Sequence, residues 1–207
     1  IGRSIAVPES EAVDDSYFDD AIFIGDSRTD GLKMYSGLPV SCFWSEVGLT
    51  VTKCFQDRFV VLNGQYLTVG EALEQADYSK VYIMLGMNDL AGYGVDGAAA
   101  NMETLLKGIL EKSPDAKIFV ETATPLVKAK NIAGNKLNND NMRLYNEKLS
   151  EMCQRNGWYL VDICSAVQDS EGNLNVSYCS DPDDMGIHFT DEGCRVWIDY
   201  LYTHTPQ

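Results

Sequence analysis

Short apolar runs that break at a glycine or a turn, separated by stretches with helical spacing, constrain this chain more than any other feature. Ala21-Ile22-Phe23-Ile24 closes at Gly25 and delivers Asp26-Ser27, and Val81-Tyr82-Ile83-Met84-Leu85 closes at Gly86-Met87-Asn88-Asp89. Residues 40–44, 117–121 and 158–163 are runs of the same kind. A strand apolar on both faces is one buried on both faces, as in a parallel sheet. Between the runs, helices are expected over residues 29–35, 71–76, 98–112 and 138–156, with a last one capped by Thr190 or Asp191. Strands alternating with helices imply an α/β fold whose parallel sheet is covered on both sides and wound through right-handed crossovers.

One segment departs from that alternation. Residues 59–62 and 65–68 flank Asn63-Gly64, and a two-residue turn with two positive φ angles is what such a pair supplies, so a β-hairpin inserted near 59–68 is expected. Residues 1–16 hold few large apolar groups and read as a linker or N-terminal arm, leaving 17–207 as a single domain. A chain of 207 residues, 45% hydrophobic and 23% charged, can bury a core of that size.

Charge narrows the partners. A net charge of −15 would repel nucleic acid and anionic membranes at long range, which favours a small-molecule or carbohydrate substrate. With no run of 18 apolar residues, no membrane span is expected. The chain begins at Ile1 rather than Met, so an exported or cell-envelope protein whose targeting segment is missing from this sequence is left open. Cys42, Cys54, Cys153, Cys164, Cys179 and Cys194 are scattered, so free thiols are expected before a disulfide framework. Two distant histidines and dispersed carboxylates give no ligand spacing, so neither a metal nor another cofactor is implied.

The ends of parallel strands face one way, so Ser27, Gly48 and Asn88, each just past a run, should meet at one edge of the sheet. His188, in a loop before the last helix, can reach the same edge. Acyl transfer needs such a set: a hydroxyl nucleophile, an imidazole to take its proton, and donors aimed at the developing oxyanion. Taken singly, each residue has a plainer role as a turn or helix cap. Their joint occurrence is what points to chemistry.

Gly25-Asp26-Ser27, Gly48, Gly86-Met87-Asn88-Asp89 and His188, in that order, resemble the four sequence blocks of the SGNH (GDSL-type) hydrolases. The resemblance implies a flavodoxin-like three-layer α/β/α sandwich and an esterase or acylhydrolase working through an acyl-serine intermediate. It makes Ser27 the nucleophile and His188 the general base, and it assigns the oxyanion hole to the N–H groups of Ser27 and Gly48 and the Asn88 amide. Asp26 and Asp89 match motif positions and are expected to shape loops rather than react.

The family's acid stands three residues before the histidine, and here that residue is Met185. Asp184 is the nearest substitute and the favoured third catalytic residue, with Asp183 or a backbone carbonyl as alternatives. Gly92-Tyr93-Gly94-Val95-Asp96-Gly97 spells a dinucleotide-binding pattern but follows the strand too late for that role, and reads as a loop flanking the site, with Tyr93 beside the pocket. The expected substrate is a short-chain ester, such as an acetyl group on a carbohydrate. An acyltransferase acting on cell-envelope polysaccharide, and a non-catalytic carbohydrate- or nucleotide-binding module, are the competing readings.

Overall fold

The computed structural model describes residues 6–206. Five strands, β1 (Ala21–Gly25), β2 (Phe43–Ser45), β5 (Lys80–Met84), β6 (Lys117–Glu121) and β7 (Tyr159–Val161), form one sheet in the order β2-β1-β5-β6-β7. Every neighbouring pair is parallel. The remaining two strands, β3 (Val60–Leu62) and β4 (Gln65–Leu67), make the separate antiparallel hairpin, and Asn63 at its turn has φ +51°. With the hairpin set aside, the strand order is 2-1-3-4-5, the flavodoxin-like winding.

Among the described residues, six α-helices clothe the sheet: α1 (Ser27–Tyr35), α2 (Val69–Leu73), α3 (Met87–Lys112), α4 (Asn139–Asn156), α5 (Ile163–Val167) and α6 (Asp191–Thr203). Successive side chains of a strand point to opposite faces. Ile22, Ile24, Val81, Ile83, Ile118 and Val120 therefore pack with Met102, Leu106 and Ile109 of α3 and Tyr145 and Leu149 of α4. Phe23, Tyr82 and Phe119 face the other way, onto Leu32 of α1, Ile163 and Val167 of α5, and Trp197 and Leu201 of α6. These two cores are the two halves of an α/β/α sandwich.

Two expectations are corrected in detail. The run at 40–44 is split: Val40–Cys42 is a turn of 3₁₀ helix after Pro39, and the strand proper is Phe43–Ser45. The helix expected from residue 98 begins at Met87, directly after the β5 edge, so Gly92–Gly97 is no loop. Only Gly94 leaves helical geometry, at φ +67° and ψ −177°, and kinks the helix there. Of the expected N-terminal arm, residues 1–5 lie outside the described residues, while Val7, Ser10 and Val13 donate their N–H groups to Leu160, Thr203 and Tyr202. No helix among the described residues is long and apolar enough to cross a membrane.

Candidate active site

The winding reverses between β1 and β5, and the crevice beyond the carboxyl ends of such strands is where doubly wound folds place ligands. Gly25 pairs in register with Ser45 on one side and Met84 on the other. Ser27, Gly48 and Asn88 thus follow three aligned positions by two, three and four residues. Asp26 caps α1 by accepting the Arg28 N–H, which leaves Ser27 as the first helical residue, its own N–H without an intrahelical acceptor.

Beneath Ser27 lies a buried ion pair. Arg28 donates through Nε to Asp26 Oδ1 at 3.0 Å and through a terminal nitrogen to Oδ2 at 2.7 Å, and reaches Thr124 Oγ1 at 3.2 Å. Both side chains are almost wholly excluded from solvent. A two-pronged pair of this kind holds geometry well, and leaving either partner alone would cost several kcal/mol, on the order of 3–5. Asp26 and Arg28 form the floor that presents Ser27.

Ser27 Oγ lies 2.9 Å from His188 Nε2, and His188 Nδ1 lies 2.7 Å from Asp181 Oδ2. With the ring proton on Nδ1, donated to the carboxylate, Nε2 is free to accept the serine proton. Asp184 does not take that place. Cys179 pairs antiparallel with Phe189, and the Ser180 N–H donates to the His188 carbonyl, so residue 181 stands beside the histidine across a narrow loop. Asp183 and Asp184 are exposed at the tip of that loop, where the N–H groups of Asp184 and Gly186 both fold back on the Asp181 carbonyl.

Gly186 closes the loop at φ +71°, and a Cβ there would come within 2.6 Å of Val127 Cγ2, so a side chain is excluded on both counts. Asp181 Oδ1 accepts the N–H groups of Ile187 and His188, each at 3.0 Å, and the Cys179 thiol at 3.3 Å. Burial pushes the Asp181 carboxyl upward, but the bonds from the His188 ring, the His188 N–H and Cys179 outweigh it and hold the group below its ordinary value. It is a carboxylate throughout the neutral range.

Two of the expected oxyanion donors, Gly48 and Asn88, are tied together at one turn. Gly48 has φ +72° in the turn closed by the Leu49 N–H on the Glu46 carbonyl, and its own N–H meets no acceptor among the described residues. Asn88 Nδ2 donates to the Leu49 carbonyl at 3.0 Å, while Asp89 receives the Val51 N–H through both carboxylate oxygens, at 3.2 and 3.1 Å. Asn88 and Asp89 therefore clasp the turn from the start of α3. One N–H of the Asn88 amide is used in doing so, and the other remains. Burial raises the Asp89 carboxyl, the Val51 N–H opposes the rise and Asp26 adds to it. Tyr93, half exposed, stands on α3 rather than in a loop.

A separate groove of about 990 Å³ runs along α4 and the loop after α5, lined by Asn139, Asn146, Asp162 and Asn173 among others. Ser27, Gly48, Asn88 and His188 are not in its wall. Asn146 and Asn139 are already engaged with the backbone of Ala123 and Leu126, so they brace the segment that follows β6.

A serine, histidine and carboxylate in hydrogen-bonded sequence at the switch point of a doubly wound sheet form the frame of a serine hydrolase. The chain belongs to the GDSL-like lipase/acylhydrolase family, whose model matches residues 23–196, and family membership brings the class of serine hydrolases acting on esters. Solved structures agree in fold. A Streptococcus pneumonia protein named for platelet activating factor superposes with a TM-score of 0.67 at 17% identity, over 88% of this chain and 81% of that one. For a GDSL-like lipase from Bacteroides thetaiotaomicron the values are 0.62, 17%, 87% and 84%. For a carbohydrate esterase family 3 protein from Talaromyces cellulolyticus they are 0.60, 14%, 87% and 93%. No curated protein matches the chain.

Proposed function

We propose that this chain is a serine esterase that cleaves short-chain esters, carbohydrate acetyl groups among them, through an acyl-serine intermediate. The observation that carries the reading is the unbroken relay from Ser27 Oγ to His188 Nε2 at 2.9 Å and from His188 Nδ1 to Asp181 Oδ2 at 2.7 Å. Ser27 Oγ attacks the ester carbonyl carbon as its proton passes to His188 Nε2. Negative charge then grows on the carbonyl oxygen, where the N–H groups of Ser27 and Gly48 and the free N–H of Asn88 receive it. Collapse of this adduct expels the alcohol, which takes the proton from His188. Water, deprotonated by His188 in turn, attacks the acyl-serine, and as the acid leaves His188 returns the proton to Ser27 Oγ.

Asp181 keeps the imidazole in the required tautomer and balances its charge while it is protonated. The short-chain preference is supported by the openness of the site. Gly48 is exposed and Ser27 and His188 are only partly buried, so the acyl group meets a surface crevice.

The test is hydrolysis of p-nitrophenyl esters from acetate to octanoate by the wild type beside Ser27→Ala and His188→Ala, with folding checked by circular dichroism. Both variants are expected to fall at least a thousandfold in kcat, with acetate or butyrate the best substrate. A wild type inactive on every ester, and a Ser27 that resists an organophosphonate, would overturn the reading.

A further inference from the structure

One oxygen of the relay's acid has a third donor, a thiol. Asp181 Oδ1 already accepts two backbone N–H groups, and the buried Cys179 thiol approaches the same oxygen at 3.3 Å. Cys179 is placed there by its bridge to Phe189, on the strand-like arm that also carries Asp181. It forms no disulfide. Burial pushes the thiol up to about 11, so it keeps its proton at neutral pH and can only act as the donor.

We propose that Cys179 is a positioning residue for catalysis, its S–H bond to Asp181 Oδ1 fixing the carboxylate's rotation so that Oδ2 meets His188 Nδ1, and drawing charge away from Oδ2. The inference rests on the serine-esterase reading above. Three donors on one oxygen leave the other for the imidazole alone, which defines the direction of the ring. Other charged groups near the loop are Lys130, which donates to the Asp183 carbonyl, and the exposed Asp183 and Asp184 themselves. None of them hydrogen-bonds the Asp181 carboxylate among the described residues. From α1, the uncharged Ser27 is the group that meets the far side of the ring.

Removing the thiol proton would leave more negative charge on the carboxylate. A more negative partner favours the imidazolium, so the catalytic base would be freed only at higher pH. The direction of that change separates positioning from packing.

The experiment measures kcat, KM and the pH dependence of kcat/KM on p-nitrophenyl acetate for the wild type, Cys179→Ala, Cys179→Val and Cys179→Ser, with organophosphonate labelling of Ser27 alongside. The two donor-free variants differ in volume, and Val refills the site if Ala loosens it. Both are expected to lose about threefold to tenfold in kcat with KM little changed, the loss of one modest hydrogen bond, and to shift the acidic limb of the profile to higher pH. Ser, which retains a donor, should restore both rate and limb. An unmoved limb in Ala and Val, or a Ser variant as impaired as Ala, would reduce Cys179 to packing and overturn the inference. A wild type that neither turns over the ester nor labels would remove the esterase reading and this inference with it, whereas an active, labelled wild type with an unmoved limb removes this inference alone.

Discussion

At the scale of the residue, the choice between Asp181 and Asp184 is decided by backbone pairing. Asp181 sits where the Cys179–Phe189 bridge ends and accepts from the His188 ring and two N–H groups, whereas Asp184 is exposed at the loop tip. Asp181→Asn keeps the shape but can present its amide nitrogen to Nδ1, which favours the wrong tautomer. The expected loss in kcat is on the order of a hundredfold to ten-thousandfold, with KM nearly unchanged. Asp184→Asn should stay within about twofold, since it alters only an exposed charge. Steady-state kinetics of the two variants side by side would sink the assignment if Asp184→Asn were the more damaging. Ser27, Gly48 and Asn88 could be singled out in the sequence because each lies two to four residues past a strand's end, and His188 because it stands just before a capped helix. Asp181 was not, since the family's three-residue spacing says nothing of the longer loop that separates acid and histidine here. Pro182 and Gly186 were the signal available: both favour a tight turn, and a tight turn makes the residues flanking it neighbours.

At the scale of the element, the sheet is held in register by a row of aromatic rings that crosses all five strands. Phe43, Phe23, Tyr82, Phe119 and Tyr159 are register partners, and their centroids follow one another at 4.9, 4.9, 4.4 and 4.8 Å, each pair stacked. The sequence showed the strands but not this row, because cross-strand pairing depends on a register that no local pattern specifies. Since Ser27, Gly48 and Asn88 follow aligned strand ends, the same row secures the site. Phe119 is fully buried between two of these rings, so Phe119→Ala is expected to destabilise the fold by about 3–5 kcal/mol. Urea unfolding gives the measurement, and a loss under about 1 kcal/mol would show that the row is incidental. The element least well read was α3. Gly86, at φ +111°, starts that helix immediately after the strand, and a Cβ there would lie 2.1 Å from the Tyr145 hydroxyl. The requirement for glycine comes from a residue 59 positions away, which local reading cannot detect.

At the scale of the whole molecule, Glu121 couples the sheet to the helical layer that carries Ser27. It ends β6, is buried, and accepts the Trp197 Nε1–H of α6 at 2.8 Å. Burial raises its carboxyl from 4.5 to about 8, against the opposing pull of the Trp197 bond and the Arg28 charge. The folded protein therefore holds a proton that the unfolded chain releases above its ordinary carboxyl range. Stability must fall as pH rises from about 4.5 to about 8 and level off beyond, because over that window the native state binds more protons. Below that window the sign reverses. Hydrogen bonds from Asn156, Arg155 and Lys107 hold Glu103 at about 2, and Asp181 is also held low, so their contributions are lost as pH falls through those depressed values. Stability should thus peak in mildly acidic solution, near about pH 5, and decline by a few kcal/mol toward pH 8. Glu121→Gln keeps an oxygen for Trp197 and has no proton to lose, so its unfolding free energy in urea should vary much less between pH 5 and pH 8. If the wild type is level across that range, or if the Gln variant declines as steeply, the proton is not held at Glu121 and the coupling of sheet to helices has another basis.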